Sequence, residues 1–351
     1  MARFEPLSAS AQTAYAQLLD AVHSIELARS VANLPGTFAR KRVKGRTYWY
    51  YQYMEISGRK RQVYVGPDNE RVLALVEKHA SDGAQPAIER LARSAVALGN
   101  MAVTGRHFRI VQRLADYGFF RSGGVLVGTH AFLAYGNMLG VRWKDALRTQ
   151  DVDFAHAGKA LSIALPADLE LDLRSAIESL QIGLLPIEHT DGTTGATWLD
   201  PNDPEFRIDF LTPLHRGGME PFRHPQLGIM LQPLKFMEYL LQDVEQAVLP
   251  GSSSAVLVNV PHPARYALHK LLVAGERPAS RAAKSNKDVQ QAASLLEVMV
   301  EQANAWQMEE AWCDLLRRGP GWRTRAQGGR NALARAAPDL ALDSLLPVPG
   351  D

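Results

Sequence analysis

The sequence predicts an α+β fold: a mixed-sheet core, a helical C-terminal domain and a small N-terminal three-stranded β-meander flanked by helices. Three observations predict it. Apolar residues recur at helical spacing in both end regions. A Tyr-, Val- and Trp-rich stretch near the start is cut by two glycine turns. The middle alternates short buried strands with helices. At 351 residues the chain exceeds a single average domain and divides into 1–104, 105–215 and 216–351. Hydrophobic residues at 46% and charged residues at 22% exclude wholesale disorder. The one cysteine, Cys313, excludes a disulfide framework and a cysteine-rich zinc site. Its place beside Trp312 predicts a core position, and its isolation fits a reducing, cytoplasmic setting. No apolar run nears the ~20 residues of a membrane span, so no membrane partner is expected. The net charge of +2 confines any nucleic-acid contact to a local patch.

The elements follow in order. Ser8 to about Asn33 is helical, with Ala14, Leu18, Val22 and Ile25 on one face, and Pro35-Gly36 stops it. Phe38–Val65 reads as the meander, turning at Lys44-Gly45 and Ser57-Gly58. Glu70–His79 and Ala87–Met101 read as helices. Phe108–Tyr117 is an amphipathic helix. Gly124–Val127 is a buried strand running into a helix from Gly128 to Met138, and Asp151–Phe154 is a strand. Ile182–Glu188, Gly195–Leu199 and Phe206–Leu211 form a strand trio. The remainder reads as helical: Leu234–Leu249, Ala264–Ala274, Asn286–Asn304 and Met308–Arg317. Pro250-Gly-Ser-Ser-Ser is expected to be a loop between helices, and the end beyond Pro338 poorly ordered.

The chemistry concentrates in the middle. Asp151 and Asp153 alternate with Val152 and Phe154, so on a strand both carboxylates leave one face while the apolar pair enters the core. Asp209 has the same flanks, Ile208 and Phe210. Three converging carboxylates repel one another unless a cation lies between them, and Mg²⁺ or Mn²⁺ is the natural partner of oxygen ligands. Upstream, a strand enters Gly128-Thr129 and a helix, a geometry that aims backbone N–H groups at an anion. A phosphate cradle beside a carboxylate metal site equips a protein for metal-assisted phosphoryl or nucleotidyl transfer. A dinucleotide glycine pattern, a P-loop and a His-Glu-x-x-His zinc motif are all missing.

These residues resemble the nucleotidyltransferase superfamily with the DNA polymerase β-like fold: strand, Gly128-Thr129, helix, Asp151-x-Asp153, and a third aspartate, Asp209, on a later strand. Thr129 stands where that family has Ser or a second Gly, and Gly140–Asp145 lengthens the gap to Asp151. Val260-Pro-His-Pro263, His269-Lys270-Leu271 and Lys284-Ser-Asn-Lys287-Asp288 resemble the helical half of the AbiEii-like toxin nucleotidyltransferases and their bacterial relatives, with Gln291 where Asp is usual. The resemblance implies an NTP-dependent enzyme that passes an NMP to an acceptor hydroxyl. The acceptor would be an RNA 3′ end such as tRNA, a protein or a small molecule, and the enzyme would be toxin-like or defensive with a possible antitoxin. Asp151, Asp153 and Asp209 would be catalytic metal ligands. Gly128, Thr129, Lys270, Lys284, Lys287 and Asp288 would bind nucleotide. Arg148 would bind phosphate or pair with an aspartate, and Asp288 could equally pair with Lys284 one turn away. The other reading is a nucleic-acid-binding regulator with an inactive transferase fold.

The meander carries Arg40, Lys41, Arg42, Lys44, Arg46, Arg59, Lys60 and Arg61 threaded with Tyr48, Trp49, Tyr50, Tyr51 and Tyr53. Basic and aromatic side chains together suit nucleic-acid contact, with Arg40, Lys41, Arg42, Arg59, Lys60 and Arg61 as candidates. The alternative is a small sheet whose aromatics pack on neighbouring helices and whose charges are solvated.

Overall fold

A computed structural model describes residues 2–28, 36–43, 46–54, 60–70, 72–73, 84–103, 105–145, 149, 151–157, 171–188, 194–214, 218–278 and 282–348. The expected helix at 70–79 lies largely outside them. The chain starts with β1 (Phe4–Pro6), which pairs antiparallel with β6 (Val141–Trp143). Phe4 meets the Trp143 ring edge-on at 6.4 Å. The stretch that lengthens the gap to Asp151 thus secures the N-terminus. Arg3 adds ion pairs of 2.7 Å to both Glu297 and Asp339.

Helix α1 (Ala9–Ala28) packs with α2 (Ala84–Ala97) over a small core of Tyr15, Leu18, Val22, Ile88, Ala92 and Val248. Between them lies the expected meander: β2 (Gly36–Val43), β3 (Arg46–Met54) and β4 (Lys60–Pro67), all antiparallel.

Among the described residues, the central sheet has seven strands. Helix α3 (Gly105–Asp116) precedes β5 (Val125–Val127), which runs directly into α4 (Gly128–Met138). Then come β7 (Asp151–Ala155), α5 (Leu173–Glu178), β8 (Leu185–Glu188), β9 (Thr194–Asp200) and β10 (Asp203–Pro213). Strands β11 (Phe222–Arg223) and β12 (Met230–Leu234) finish it. The order is β11-β12-β10-β7-β5, with β9 also on β10 and β8 on β9. β10 is parallel to β7 and β12, whereas β5 is antiparallel to β7, so the sheet is mixed as expected.

The C-terminal part departs from expectation at its start. Leu234–Leu249 is not one helix. After the short α6 (Met237–Leu240), β13 (Val244–Pro250) and β14 (Ala255–Pro261) form a hairpin, and Pro250-Gly-Ser-Ser-Ser turns between strands. The apolar residues of 234–249 fit a helical period. Ala255–Pro261, however, alternates buried and half-buried positions and pairs with β13 over its whole length, and that pairing prevails over local pattern. Four helices follow: α7 (Pro263–Glu276), α8 (Ala282–Glu301), α9 (Ala305–Arg317) and α10 (Pro320–Ala336), the last unforeseen. The end keeps defined structure from Pro338 through Val348. Leu342 and Leu345 of helix α11 (Leu342–Leu345) and the following Leu346 are buried, and the Trp312 indole donates to the Pro347 carbonyl at 2.8 Å. Cys313 is exposed rather than in the core, because Trp312 faces inward and the next residue is rotated about 100° away. One continuous core nevertheless joins β1, the central sheet and these helices.

Candidate active site

The site grows from two neighbouring strands. Val152, Phe154, Ile208 and Phe210 are buried, and the rings of Phe154 and Phe210 stack 5.5 Å apart. With the apolar residues inward, Asp151 and Asp153 on β7 and Asp209 on β10 share the opposite face. The parallel register sets Asp153 directly beside Asp209, and Asp151 beside Arg207. All three predicted carboxylates are therefore brought together.

Arg207, which the sequence reading passed over, stands among them. Its Nη2 lies 3.1 Å from Asp151 Oδ2, and its Nε lies 3.3 Å from Asp209 Oδ2. Across the other edge of β10, Thr197 faces Asp209 in register and donates its hydroxyl to Asp209 Oδ1 at 2.5 Å. Asp153 is pushed up to about 6, first by burial and then by the negative charge of Asp209, with Lys270 opposing.

The β5–α4 junction meets this face. Val127 is paired with Asp153, so Gly128 follows immediately beside the carboxylate. Gly128 has φ +63°, a left-handed backbone, and a Cβ there would overlap the Asp153 carboxylate. Nothing in the side chain of Val127 caps α4, so its first N–H groups face the site without a side-chain acceptor from that residue. Thr129 is buried.

Helices α7 and α8 supply the positive side. Lys270 donates to Asp288 Oδ1 at 2.6 Å, and Arg277 holds the other carboxylate oxygen. Asp288 is thus clamped by Lys270 and Arg277, not by Lys284, which stands exposed on the first turn of α8. Lys287 is half-buried, and burial and then the neighbouring Lys270 pull its ammonium down, while Asp288, Asp153 and Asp151 push the other way. Four residues before Lys270, Tyr266 crosses to the glycine turn. Its hydroxyl lies 2.8 Å from the Gly128 carbonyl and 2.9 Å from Gln291 Oε1. Gln291, in the place expected to hold an aspartate, is fully buried and supports that tyrosine. Arg148 lies outside the described residues.

Several histidines take structural places. His130 is buried with Nε2 3.2 Å from His107 Nδ1, and burial lowers it to about 3. His262 accepts from the Ala264 N–H at the start of α7. Two hollows, one beside Val22, Ile88 and Val256 and one beside His23, Arg121 and Asn259, lie along the N-terminal helices, and neither includes a site carboxylate.

Among the described residues, the basic positions of β2 fall on both faces of the meander. Cross-strand partners share a face. Arg40 and Arg42 lie with Trp49 and Thr47, whereas Lys41 lies with Tyr48. Lys60 and Arg61 sit at successive positions of β4, opposite Met54 and Tyr53, and Arg59 lies outside the described residues.

Among the described residues, no three His, Cys, Asp or Glu side chains gather around one point as a metal site would. Arg207 is the counter-charge present between Asp151 and Asp209. The donor chemistry still suits a hard divalent ion: the donors are all carboxylate oxygens, and Asp153 and Asp209 are adjacent and mutually repelling. Such an ion could be held by Asp153 and Asp209, with Asp151 joining once Arg207 turned away.

A mixed sheet carrying aspartates on adjacent strands beside a glycine strand–helix turn is the layout of a nucleotidyltransferase. The sequence model of a family described as nucleotidyltransferase matches residues 106–317, and the chain belongs to that family. A search of curated proteins finds no match. Among solved structures, an antigenic nucleotidyltransferase-like protein from Paracoccidioides brasiliensis is 17% identical. The match covers 70% of this chain and 94% of that one at a TM-score of 0.35, too distant to carry an argument. Among the described residues, no helix is long and apolar enough to cross a membrane.

Proposed function

We propose that this nucleotidyltransferase moves an NMP from an NTP to an acceptor hydroxyl with Mg²⁺ or Mn²⁺. The observation that carries the reading is the register of β7 and β10, which sets Asp153 against Asp209 at the foot of the Gly128 turn. A divalent ion there would polarise the α-phosphoryl group and neutralise charge on the departing pyrophosphate. Gly128 and the first N–H groups of α4 would receive the β- and γ-phosphates. Lys270 and Lys287 would offset triphosphate charge, with Asp288 holding Lys270 in place. Asp209, oriented by Thr197, would take the acceptor proton. Arg207 would leave the carboxylates for phosphate oxygens when NTP arrives, exchanging one set of anionic partners for another. Lys284, exposed at the start of α8, would meet the outer part of the nucleotide, and Arg148 would contact phosphate.

The likeness of residues 260–288 to AbiEii-like toxins supports a toxin-like or defensive, cytoplasmic role, with an RNA 3′ end such as tRNA as acceptor and a cognate antitoxin as partner. Incubation with each labelled NTP, Mg²⁺ or Mn²⁺ and total RNA tests it. Label on a discrete RNA band is expected, and label on protein or a small molecule would replace RNA as the acceptor. One observation favours a second reading: Arg207 already balances two of the carboxylates. A regulator that binds nucleotide without turnover would keep it there, and would consume no NTP under any metal.

A further inference from the structure

We propose that the hollow between α1 and the β13–β14 hairpin is a second ligand site, fitted to a nucleobase. It lies apart from the carboxylates and does not rest on the reading above.

The hollow forms where an apolar face of the hairpin turns polar. Cross-strand pairing sets Val248 with Leu257 and, two residues on, Gln246 with Asn259, all on one face. Val248 is fully buried in the small core of α1 and α2. Gln246 and Asn259 cannot enter such a core without losing hydrogen bonds. Beside them the packing against α1 leaves a hollow of about 180 Å³, whose floor includes Leu257. His23 and Glu26 of α1 and Phe120 and Arg121, just before β5, complete the lining.

This lining holds hydrogen-bonding groups with nothing to bind. His23 Nε2 and Arg121 Nε are buried without a partner. Each belongs to a side chain of the wall, so a small turn presents it to a ligand. Asn259 spends its amide hydrogens on the Phe120 and Gly124 carbonyls at 2.7 and 2.8 Å, which leaves Oδ1 as an acceptor. Gln246 is exposed and adds a donor and an acceptor.

The charges, in contrast, are already matched. Arg121 pairs with Glu26 at 2.9 Å. An entering anion would meet the carboxylate and an entering cation the guanidinium, so an uncharged ligand is favoured. An apolar cavity of about 150 Å³ takes a benzene ring. The space here, about 180 Å³, therefore suits a heterocycle with donors and acceptors on its edge. A nucleobase has that size and edge. Phe120 and Leu257 offer apolar surface to its ring, and amide side chains pair with base edges. The ligand would also touch Asn259, which holds Gly124 at the entry to β5 and so to the Gly128 turn.

The test is isothermal titration of the full chain with adenosine, guanosine, cytidine and uridine, in EDTA and without NTP. At least one should bind at one site per chain, with the same affinity at about 50 and 200 mM salt because the ligand carries no charge. Gln246→Tyr, which fills the rim, should weaken binding at least about tenfold. His23→Leu should weaken it about fivefold, the worth of one neutral hydrogen bond. Its melting temperature should hold or rise, because a buried nitrogen without a partner is removed. Should Gln246→Tyr fail to fold, His23→Leu still decides. Asp153→Asn should bind like wild type, which separates this site from the carboxylates. Competition by a trinucleotide ending in the same base would assign the hollow to a chain end, and its failure to compete would assign it to free nucleosides. Absence of binding by all four nucleosides, or binding unchanged in both hollow variants, overturns the proposal.

Discussion

The carboxylate edge of the central sheet and the basic meander both alternate charged with apolar or aromatic residues, and the outcomes differ. On β7 and β10 one face is buried in the main core, so the alternation sorts every carboxylate to the other face and brings three like charges together. Among the described residues the meander joins neither hydrophobic core, and the charges of β2 and β3 divide between two faces. A buried face converts pattern into convergence, whereas an unburied sheet leaves pattern as two separate surfaces. Charge density in sequence is therefore a good guide to a site only where one face is buried.

The largest effect that sharpens this contrast is expected at the glycine turn. Gly128→Val places a β-branched residue at positive φ and drives its Cβ into the Asp153 carboxylate. We expect a loss of at least about 2 kcal/mol in stability and no measurable NTP binding, seen by thermal melting and nucleotide titration. No single meander substitution should approach that.

Next is Tyr266→Phe. It leaves the Gly128 carbonyl and the buried Gln291 amide without their shared hydroxyl. A cost of about 1–2 kcal/mol is expected, together with weaker NTP binding, because the turn loses its support. Denaturant melts and nucleotide titration check both. Unchanged NTP affinity would make this bridge a packing contact alone.

Arg207→Gln removes the charge lying between Asp151 and Asp209. Mn²⁺ binding without NTP, followed by electron paramagnetic resonance, should tighten severalfold while the metal-free protein melts at a lower temperature. A protein that never takes a metal here would show the lower melting temperature alone.

The smallest effect is a pH dependence. Burial and the neighbouring Asp209 push the Asp153 carboxyl up to about 6 in the folded chain, above its ordinary 3.8. Between these values the native state binds more protons than the unfolded one, so this group's contribution to stability falls as pH rises and levels off above about 6. The buried His130, His224 and His269 act with opposite sign. Burial depresses them below the ordinary histidine value of 6.5, and they lose stability as pH falls. The difference between wild type and Asp153→Asn isolates the aspartate. Measured in EDTA, Asp153→Asn should be the more stable at pH 7.5, with the gap closing toward pH 4.

Much of this site was legible because strand alternation is local: Val152, Phe154, Ile208 and Phe210 announce where Asp151, Asp153 and Asp209 must point. The same rule could have found Arg207, two residues before Asp209 on the same face. Thr197 could not be found, since only the β9–β10 register brings it to Asp209. Tyr266 lies one helical turn from Lys270, but its target at Gly128 depends on how α7 packs against α4. The β13–β14 hairpin was hidden for a related reason. Residues 234–249 fit a helix period, and the strand that recruits 244–250 lies across the turn. The meander's elements were clear from composition, while the division of its charges required the pairing register.

The central claim is that the β7–β10 carboxylates support nucleotidyl transfer. The most direct measurement is transfer from α-labelled NTPs with Mg²⁺ or Mn²⁺ and total cellular RNA, comparing wild type with Asp153→Asn and Asp209→Asn. The account predicts metal-dependent label on an acceptor with wild type, and a loss of at least about 100-fold in each variant, with melting curves showing both still folded. Transfer that persists in either variant, or wild-type protein that binds NTP yet releases no pyrophosphate with any metal or acceptor, would contradict it.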